Sequence, residues 1–269
     1  MLKNICLFAV ILFLVGCGSD KEKYEEKPVE TLYKRAEKLL EEGKNKKAGI
    51  AFEEVIRQHP YSGWAKQAQL MSAYAYYKAQ AFEDAVASLD TYLQIYPGSQ
   101  DIPYAYFLKG MCFYVQISTV DRDQEMTEMA RKTFEELIRR FPQSKYAKDA
   151  KLKLDLAYEH LAGKNMEIGR FYLSQKLLIA ALNRFQEVIK EYEGTSHVPE
   201  ALHRLVEIYL MLGIVDEAQA TAVVSGHNYS DNIWYKRTYK LLDSKGMLPK
   251  ADLNVNLKKQ WNAQQSNDS

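Results

Sequence analysis

The sequence predicts an all-α fold in which pairs of helices stack into an elongated array. One phrase occurs four times, and each copy reads as an amphipathic helix end, a stop, and a hydroxyl residue placed to cap the next helix. The copies run over residues 52–62, 89–99, 134–144 and 185–195. No stretch of alternating polar and apolar residues indicates a strand. Because internal repeats of this length are typical of stacked helical arrays, the repeat predicts the fold class.

Composition narrows the possible functions. A chain of 269 residues is long enough for one or two domains, and its formal net charge of +1 gives no reason to expect a nucleic acid partner. Two of the three cysteines, Cys6 and Cys17, lie in the first seventeen residues, which leaves Cys112 alone in the rest of the chain. The body therefore has no intrachain disulfide framework.

The first element is a signal sequence. Lys3 precedes an apolar run from Ile5 to Val15, which is too short to span a bilayer but fits the apolar region of a signal peptide. The run ends in a sequence, residues 14–17, that resembles the bacterial lipobox, where cleavage occurs before a cysteine that is then acylated. The resemblance implies a signal peptide over residues 1–16 and lipid attachment at Cys17. An ordinary secretory signal that contains a cysteine by chance is the alternative.

The residues that follow Cys17 predict where the protein resides. Gly18 stands where an aspartate would retain an enterobacterial lipoprotein at the inner membrane, so the resemblance implies the periplasmic face of the outer membrane. Residues 17–29 are charged and lack apolar periodicity. They are interpreted as a lipidated cysteine with a flexible tether to the folded body.

The helical array comes next. An alanine four residues before each large apolar residue, as in Ala48/Phe52 and Ala181/Phe185, resembles the tetratricopeptide repeat (TPR), a pair of antiparallel helices in about 34 residues. A small residue lets two helices approach closely, and the large one fills the gap to the next pair. The pattern predicts about five helix pairs. They are placed at residues 29–62, 63–99, 100–144, 145–195 and 196–225.

The spacing of the repeats departs from the family's unit in informative ways. The interval from Phe134 to Phe185 is 51 residues, which leaves room for a long extra helix over 146–161 before the fourth pair begins near Lys164. Residues 116–125 form a polar insertion inside the third pair. A closing helix is predicted over 232–242 and a disordered tail over 246–269. The array is divided into an N-terminal half, residues 30–144, and a C-terminal half, residues 145–245.

No catalytic or metal site is predicted, and no cofactor. The five histidines form neither a metalloprotease motif nor a short spacing with cysteine. His59 occupies the position of Tyr96, Phe141 and Tyr192 in the other repeats, so packing is the expected role. Cys112 lies in an apolar helix and is expected to be a buried small hydrophobe. The sequence therefore favours a binding protein over an enzyme.

A peptide-binding groove is predicted on the concave side, which the first helix of each pair would line. Tyrosine and methionine suit varied apolar peptides. Matching the repeats selects Tyr33, Glu37, Leu70, Tyr74, Tyr77, Tyr104, Phe107, Met111 and Tyr114. The alternative is that the insertions tighten the array and bury these side chains against one another. Lysines at 145, 148, 151 and 153 are interpreted as a solvated face rather than a phosphate or lipid-head site.

These features together resemble the BamD family, also called YfiO or ComL. The resemblance rests on the lipobox, the tether, the aromatic-Pro-x-Ser junctions, the opening residues 32–36, the insertion in the third pair and the stretch 120–123. It covers residues 14 to about 245. It implies a lipoprotein of the outer-membrane β-barrel assembly machinery, in company with other Bam lipoproteins.

In that family the N-terminal repeats receive the aromatic-ended signal of unfolded outer-membrane barrel proteins. The C-terminal repeats dock on a POTRA domain of the central subunit BamA, which here implies Arg204, Glu207 and Leu210. The repeat proline is missing at Glu193, so the docking contacts of this chain are expected to differ. The alternatives are a periplasmic TPR scaffold of the Tol–Pal system or of peptidoglycan synthesis, and an adaptor for murein hydrolases.

Overall fold

The structure, a computed structural model, describes residues 26–249, and within that range it contains eleven α-helices and no strand. The predicted signal peptide, Cys17, most of the predicted tether and residues 250–269 of the predicted tail lie outside the described residues. The helices are α1 (Val29–Glu41), α2 (Asn45–Gln58), α3 (Gly63–Lys78), α4 (Phe82–Ile95), α5 (Ile102–Tyr114), α6 (Glu125–Arg140), α7 (Lys145–Ser174), α8 (Leu178–Glu191), α9 (Val198–Leu212), α10 (Val215–Asn228) and α11 (Ile233–Ser244).

The helices form five antiparallel pairs closed by α11, which confirms the predicted TPR-like solenoid. Each helix packs on its neighbours in the chain, and α1, α3, α5 and α7 also contact one another in that order. The repeated small and large residues make the core. All eight of them are 0% exposed: Ala48, Ala85, Ala130, Ala181, Phe52, Leu89, Phe134 and Phe185. Burying each large side chain is worth about 1.5–3 kcal/mol relative to leaving it in water. The repeated phrase is therefore the packing seam of the array.

In two of the pairs, a glycine on the first helix lets that helix pack directly against an aromatic ring of the second helix. A Cβ on Gly169 would lie 2.7 Å from Cε1 of Phe185, and one on Gly110 would clash in the same way with Phe134. A Cβ on Gly49, on α2, would likewise lie 2.7 Å from Cε1 of Tyr76 on α3. These positions accept glycine in a helix interior, at a cost of about 1 kcal/mol each, because the ring needs the space.

The predicted helix boundary near Lys164 is wrong, because α7 runs unbroken for 30 residues. Tertiary contacts explain why the chain stays helical there. A Cβ added to the buried Gly163 would lie 3.4 Å from Val120 in the loop between α5 and α6, and 3.3 Å from His197. The ammonium of Lys164 donates to the carbonyl of Asp121 at 2.9 Å. The polar insertion therefore lies across the middle of α7 and supports it.

The predicted capping role of the junction hydroxyls is correct for one of the four. The Ser144 hydroxyl accepts from the amide of Ala147 at 3.1 Å. Ser62 and Thr195 instead donate to carbonyls three residues earlier, in His59 and Tyr192, and Ser99 pairs with the Tyr92 hydroxyl. Ser62 and Thr195 thereby serve the end of the preceding helix, because its last carbonyls lack partners within the helix. The Ser99 hydroxyl also accepts from the amide of Asp101 at 3.3 Å, just ahead of α5.

Candidate functional site

The row of first helices presents the residues predicted to line a groove, but two of them are core residues. Tyr33 is 5% exposed, with its ring 5.3 Å from Phe52 and 4.8 Å from Trp64. Leu70 is also 5% exposed and packs between α3, α4 and α5. Burial raises the pKa of the Tyr33 phenol, and the exposed carboxylate of Glu37 raises it further. Tyr33 and Leu70 therefore offer a ligand little contact area.

Half-buried aromatic side chains meet where α3, α5 and α7 adjoin. Tyr104 and Phe107 on α5 lie 5.3 and 5.6 Å from the ring of Tyr146, at the start of α7. Tyr74 and Tyr77 on α3 pack against the same side of α5. We call these five residues the aromatic cluster. They are partly exposed, so the structure brings together the central members of the predicted groove and adds Tyr146.

Burial favours the neutral form of two phenols in the aromatic cluster. Burial raises the pKa of Tyr104, and the nearby phenols of Tyr74 and Tyr146 raise it further. Burial also raises the pKa of Tyr77. Beneath the cluster, burial raises the pKa of the Cys112 thiol to about 12, so that thiol stays protonated and unreactive. The phenols can exchange hydrogen bonds with a ligand while presenting mostly apolar ring surface.

One cation borders the cluster, and a second lies beside Tyr114, two helical turns further along α5. The ammonium of Lys145 lies 5.0 Å from the centre of the Tyr146 ring, and that of Lys153 lies 4.9 Å from the centre of Tyr114. Tyr114 in turn packs 6.2 Å from Phe134, and Met111 lies in the same half-buried layer. Both lysines are within the range of cation–π attraction. They place positive charge at the margin of the apolar surface. The interpretation of these lysines as a solvated face did not include this contact with aromatic rings.

The predicted docking residues are held by contacts within the chain. The guanidinium of Arg204 donates to Glu207 at 2.8 Å and to Glu200 at 3.3 Å, and it lies 5.3 Å from the Trp234 ring. Burial alone would raise the pKa of Glu207, but hydrogen bonds from His203 and Arg204 lower it overall. Leu210 packs against the α10–α11 cluster. This network joins α9 to α11 and stabilises the end of the array.

An exposed apolar surface in the same half escaped the sequence interpretation. Consecutive antiparallel helices bring the α7–α8 and α9–α10 turns to one edge of the array. That edge, the turn edge, exposes Phe171 (60%), Leu177 (52%), Ile179 (61%), Met211 (61%) and Ile214 (38%). The sequence contains one sign of this surface. Leu177 and Ile214 are 37 residues apart, and each directly precedes the second helix of its pair, where the first two pairs have Lys44 and Ala81.

Metal binding and membrane spanning each require a recognisable arrangement of residues. Across residues 26–249, no group of three His, Cys, Asp or Glu side chains is arranged to hold a metal ion. Between the same bounds, none of the helices is both long enough and apolar enough to cross a lipid bilayer.

Comparisons with known proteins extend these findings. The family model "YfiO: Outer membrane lipoprotein" matches residues 25–224. The chain is similar to two proteins named outer membrane protein assembly factor BamD. The relative from Rickettsia prowazekii is 45% identical over 88% of this chain and 94% of its own length. The relative from Caulobacter vibrioides is 40% identical over 93% of this chain and 83% of its own.

Among solved structures, a thermophilic TPR protein of Thermus thermophilus aligns with 80% of this chain and 99% of its own, at 18% identity and a TM-score of 0.34. That likeness is too distant to support an argument about function.

Proposed function

Since the chain belongs to the YfiO family of outer membrane lipoproteins, we propose that it is a subunit of the machinery that assembles outer-membrane β-barrel proteins. Lipid on Cys17 holds it at the periplasmic face of the outer membrane. The N-terminal half binds the signals of unfolded barrel proteins, and the C-terminal half docks on a POTRA domain of BamA beside other Bam lipoproteins. The relatives are named as assembly factors, which favours a scaffold without catalytic activity.

The aromatic cluster is the observation that carries the substrate-binding part of this proposal. A barrel signal ends in an aromatic side chain followed by a free carboxylate. Ring surface at Tyr74, Tyr77 and Phe107 suits the aromatic side chain, because offset and edge-to-face ring pairs add about 0.5–1.5 kcal/mol beyond the area they bury. The ammonium groups of Lys145 and Lys153 at the margin suit the carboxylate.

We expect a photoreactive residue placed at Tyr77 or Phe107 to crosslink to a peptide that ends in an aromatic barrel signal. Crosslinks at Ile50, which is 54% exposed on α2, should stay at background and serve as the matched control. The same peptide with an amidated C-terminus should crosslink less, because it lacks the charge that the two lysines attract. Mass spectrometry identifies the crosslinked peptide. If a photoreactive residue at the exposed Ile179 on α8 crosslinks to the peptide while those at Tyr77 and Phe107 do not, the proposed division of labour is wrong.

The turn edge is the part of the C-terminal half best suited to hold a partner protein. Exposed apolar side chains grouped on one edge favour association, whereas single ones are common on any protein. Arg204 and Glu207 are paired with each other, so their replacement would first disturb the α9–α11 contact. We therefore propose that Ile179, Met211 and their neighbours make the main contact with the POTRA domain, and that Arg204 and Glu207 hold the helices that present them.

Ile179→Asp is expected to weaken binding to the isolated POTRA domains by about tenfold or more, since it places a charge in a desolvated contact. Leu152→Asp provides the control, because Leu152 is 71% exposed on α7 but away from the turn edge. Isothermal titration calorimetry measures both affinities. Equal losses in the two variants, or no loss in either, would exclude the turn edge as the docking surface.

A further inference from the structure

The chain that enters the fold is held against the end of α2. The amide of Lys27 donates to the side-chain oxygen of Gln58 at 2.9 Å. Nε2 of His59 lies 2.7 Å from the carbonyl oxygen of Lys27, and since a carbonyl only accepts, this nitrogen is the donor. Nδ1 of the same ring is 3.9 Å from the Glu26 carboxylate. Two hydrogen bonds therefore fix residues 26–28 at the junction of α2 and α3.

This contact explains why a histidine stands at this junction. The residues at the same position after α4, α6, α8 and α10 are Tyr96, Phe141, Tyr192 and Tyr229. A tyrosine or phenylalanine there packs on its own repeat. His59 has the N–H that the backbone of the entering chain requires, and that chain passes beside this junction and not beside the later ones.

The same junction carries two exposed aromatic side chains. Tyr61 is fully exposed, at 101% of its reference surface, and Trp64 is 41% exposed. The Trp64 ring rests 4.8 Å from the buried ring of Tyr33, which holds it in place. Tyr61 is two residues from His59, so their Cα atoms are at most about 8 Å apart. Tyr61, Trp64 and the entering chain thus share one corner of the array, which we call the entry corner.

The length of the preceding chain limits the distance from this corner to the proposed anchor. Glu26 follows Cys17 by nine positions, and at no more than about 3.6 Å per residue this interval spans at most about 32 Å. An acyl group on Cys17 therefore keeps the entry corner close to the bilayer, where even a weak contact has a high effective concentration. Tyrosine and tryptophan are the side chains that concentrate at the headgroup level of membranes.

We infer that the entry corner is a membrane-contact surface, in which Tyr61 and Trp64 insert into the headgroup region of the leaflet that holds the lipid anchor. This inference rests on the anchor at Cys17 that is part of the proposed function. Two attachments, the acyl chains and the aromatic corner, orient the array relative to the bilayer, whereas a tether alone fixes only its distance. His59 and Gln58 act as positioning residues, because they hold the entering chain beside the aromatic pair.

The test couples the chain from Cys17 onward, through that thiol, to vesicles of phosphatidylethanolamine and phosphatidylglycerol that contain a maleimide lipid. Cys112 is buried and does not compete. Trp64 becomes the single tryptophan through Trp234→Phe and Trp261→Phe. Its emission should fall by about half when the vesicles contain phospholipid brominated on the acyl chains, because an interfacial ring lies at the headgroup–acyl boundary. Adding Tyr61→Ser should reduce this quenching.

The matched control keeps Trp234 as the single tryptophan, through Trp64→Phe and Trp261→Phe. Trp234 is half-buried on α11, at the far end of the array, and should not be quenched. Should a double variant not fold, the difference in quenching between the unsubstituted chain and Trp64→Phe gives the same quantity. Unchanged Trp64 emission in a protein that floats with the vesicles would overturn the inference. Because the coupling is chemical, that outcome is separate from a failure of acylation in cells.

Discussion

Cys17→Ser is expected to release the protein from the outer membrane into the soluble fraction of the periplasm. A single acyl chain gives only marginal binding, and each buried CH₂ adds about 0.8 kcal/mol, so a cysteine with two or more chains anchors stably and a serine with none does not. Flotation of cell membranes and labelling with radioactive palmitate measure the effect.

The control for this experiment is Cys112→Ala, which removes a buried thiol and should leave palmitate labelling unchanged. Undiminished labelling of Cys17→Ser membranes would contradict the lipid anchor. It would then favour an ordinary secretory signal at the start of the chain, the alternative that the sequence left open.

Phe134→Ala is expected to lower the free energy of unfolding by about 3–5 kcal/mol, because the ring is completely buried and its removal leaves a cavity. The ring touches the backbone of Gly110 and packs 6.2 Å from both Phe107 and Tyr114. Urea denaturation followed by circular dichroism measures the loss. The variant should also bind signal peptides less well, since the cavity withdraws support from part of the predicted groove.

Phe171→Ala is the matched control for this prediction, because it removes the same side chain from a position that is 60% exposed. Its unfolding free energy should change by no more than about 0.5 kcal/mol. Losses of similar size in the two variants would mean that the repeated aromatic is not the packing seam of the array. If Phe134→Ala kept its stability but bound peptides weakly, the ring would support the groove without stabilising the core.

The helices were predictable because each is marked by local features that act over a few residues. The closing helix illustrates this, since it was predicted over 232–242 and runs over Ile233–Ser244. Its start is set by Asn232, whose side chain accepts from the amide of Trp234 at 2.9 Å. The continuity of α7 was not predictable in the same way. The repeat spacing and Gly163 favour a break, and contacts with Val120 and Asp121, more than 40 residues earlier, keep the helix intact.

The candidate site was predictable in its residue types and less so in its exposed surface. A period of 37 residues assigns Tyr33 and Leu70 the same register as Phe107, but exposure depends on which side chains lie across the interface. Tyr33 is covered by Trp64, and Leu70 by the α4–α5 contact. Tyr146 and the margin of lysines belong to α7, which the repeat register did not align with α3 and α5.

The sequence by itself determined the fold class, the number of helix pairs, the positions of the junctions and the family resemblance. These follow from apolar periodicity and from short motifs, which act within one or two helical turns. The tertiary structure alone decided which aromatic side chains remain accessible, that Arg204 and Glu207 pair with each other, that the turn edge is apolar, and that His59 holds the entering chain. Each of these depends on how helices and loops pack against one another, which a local pattern of residues does not specify.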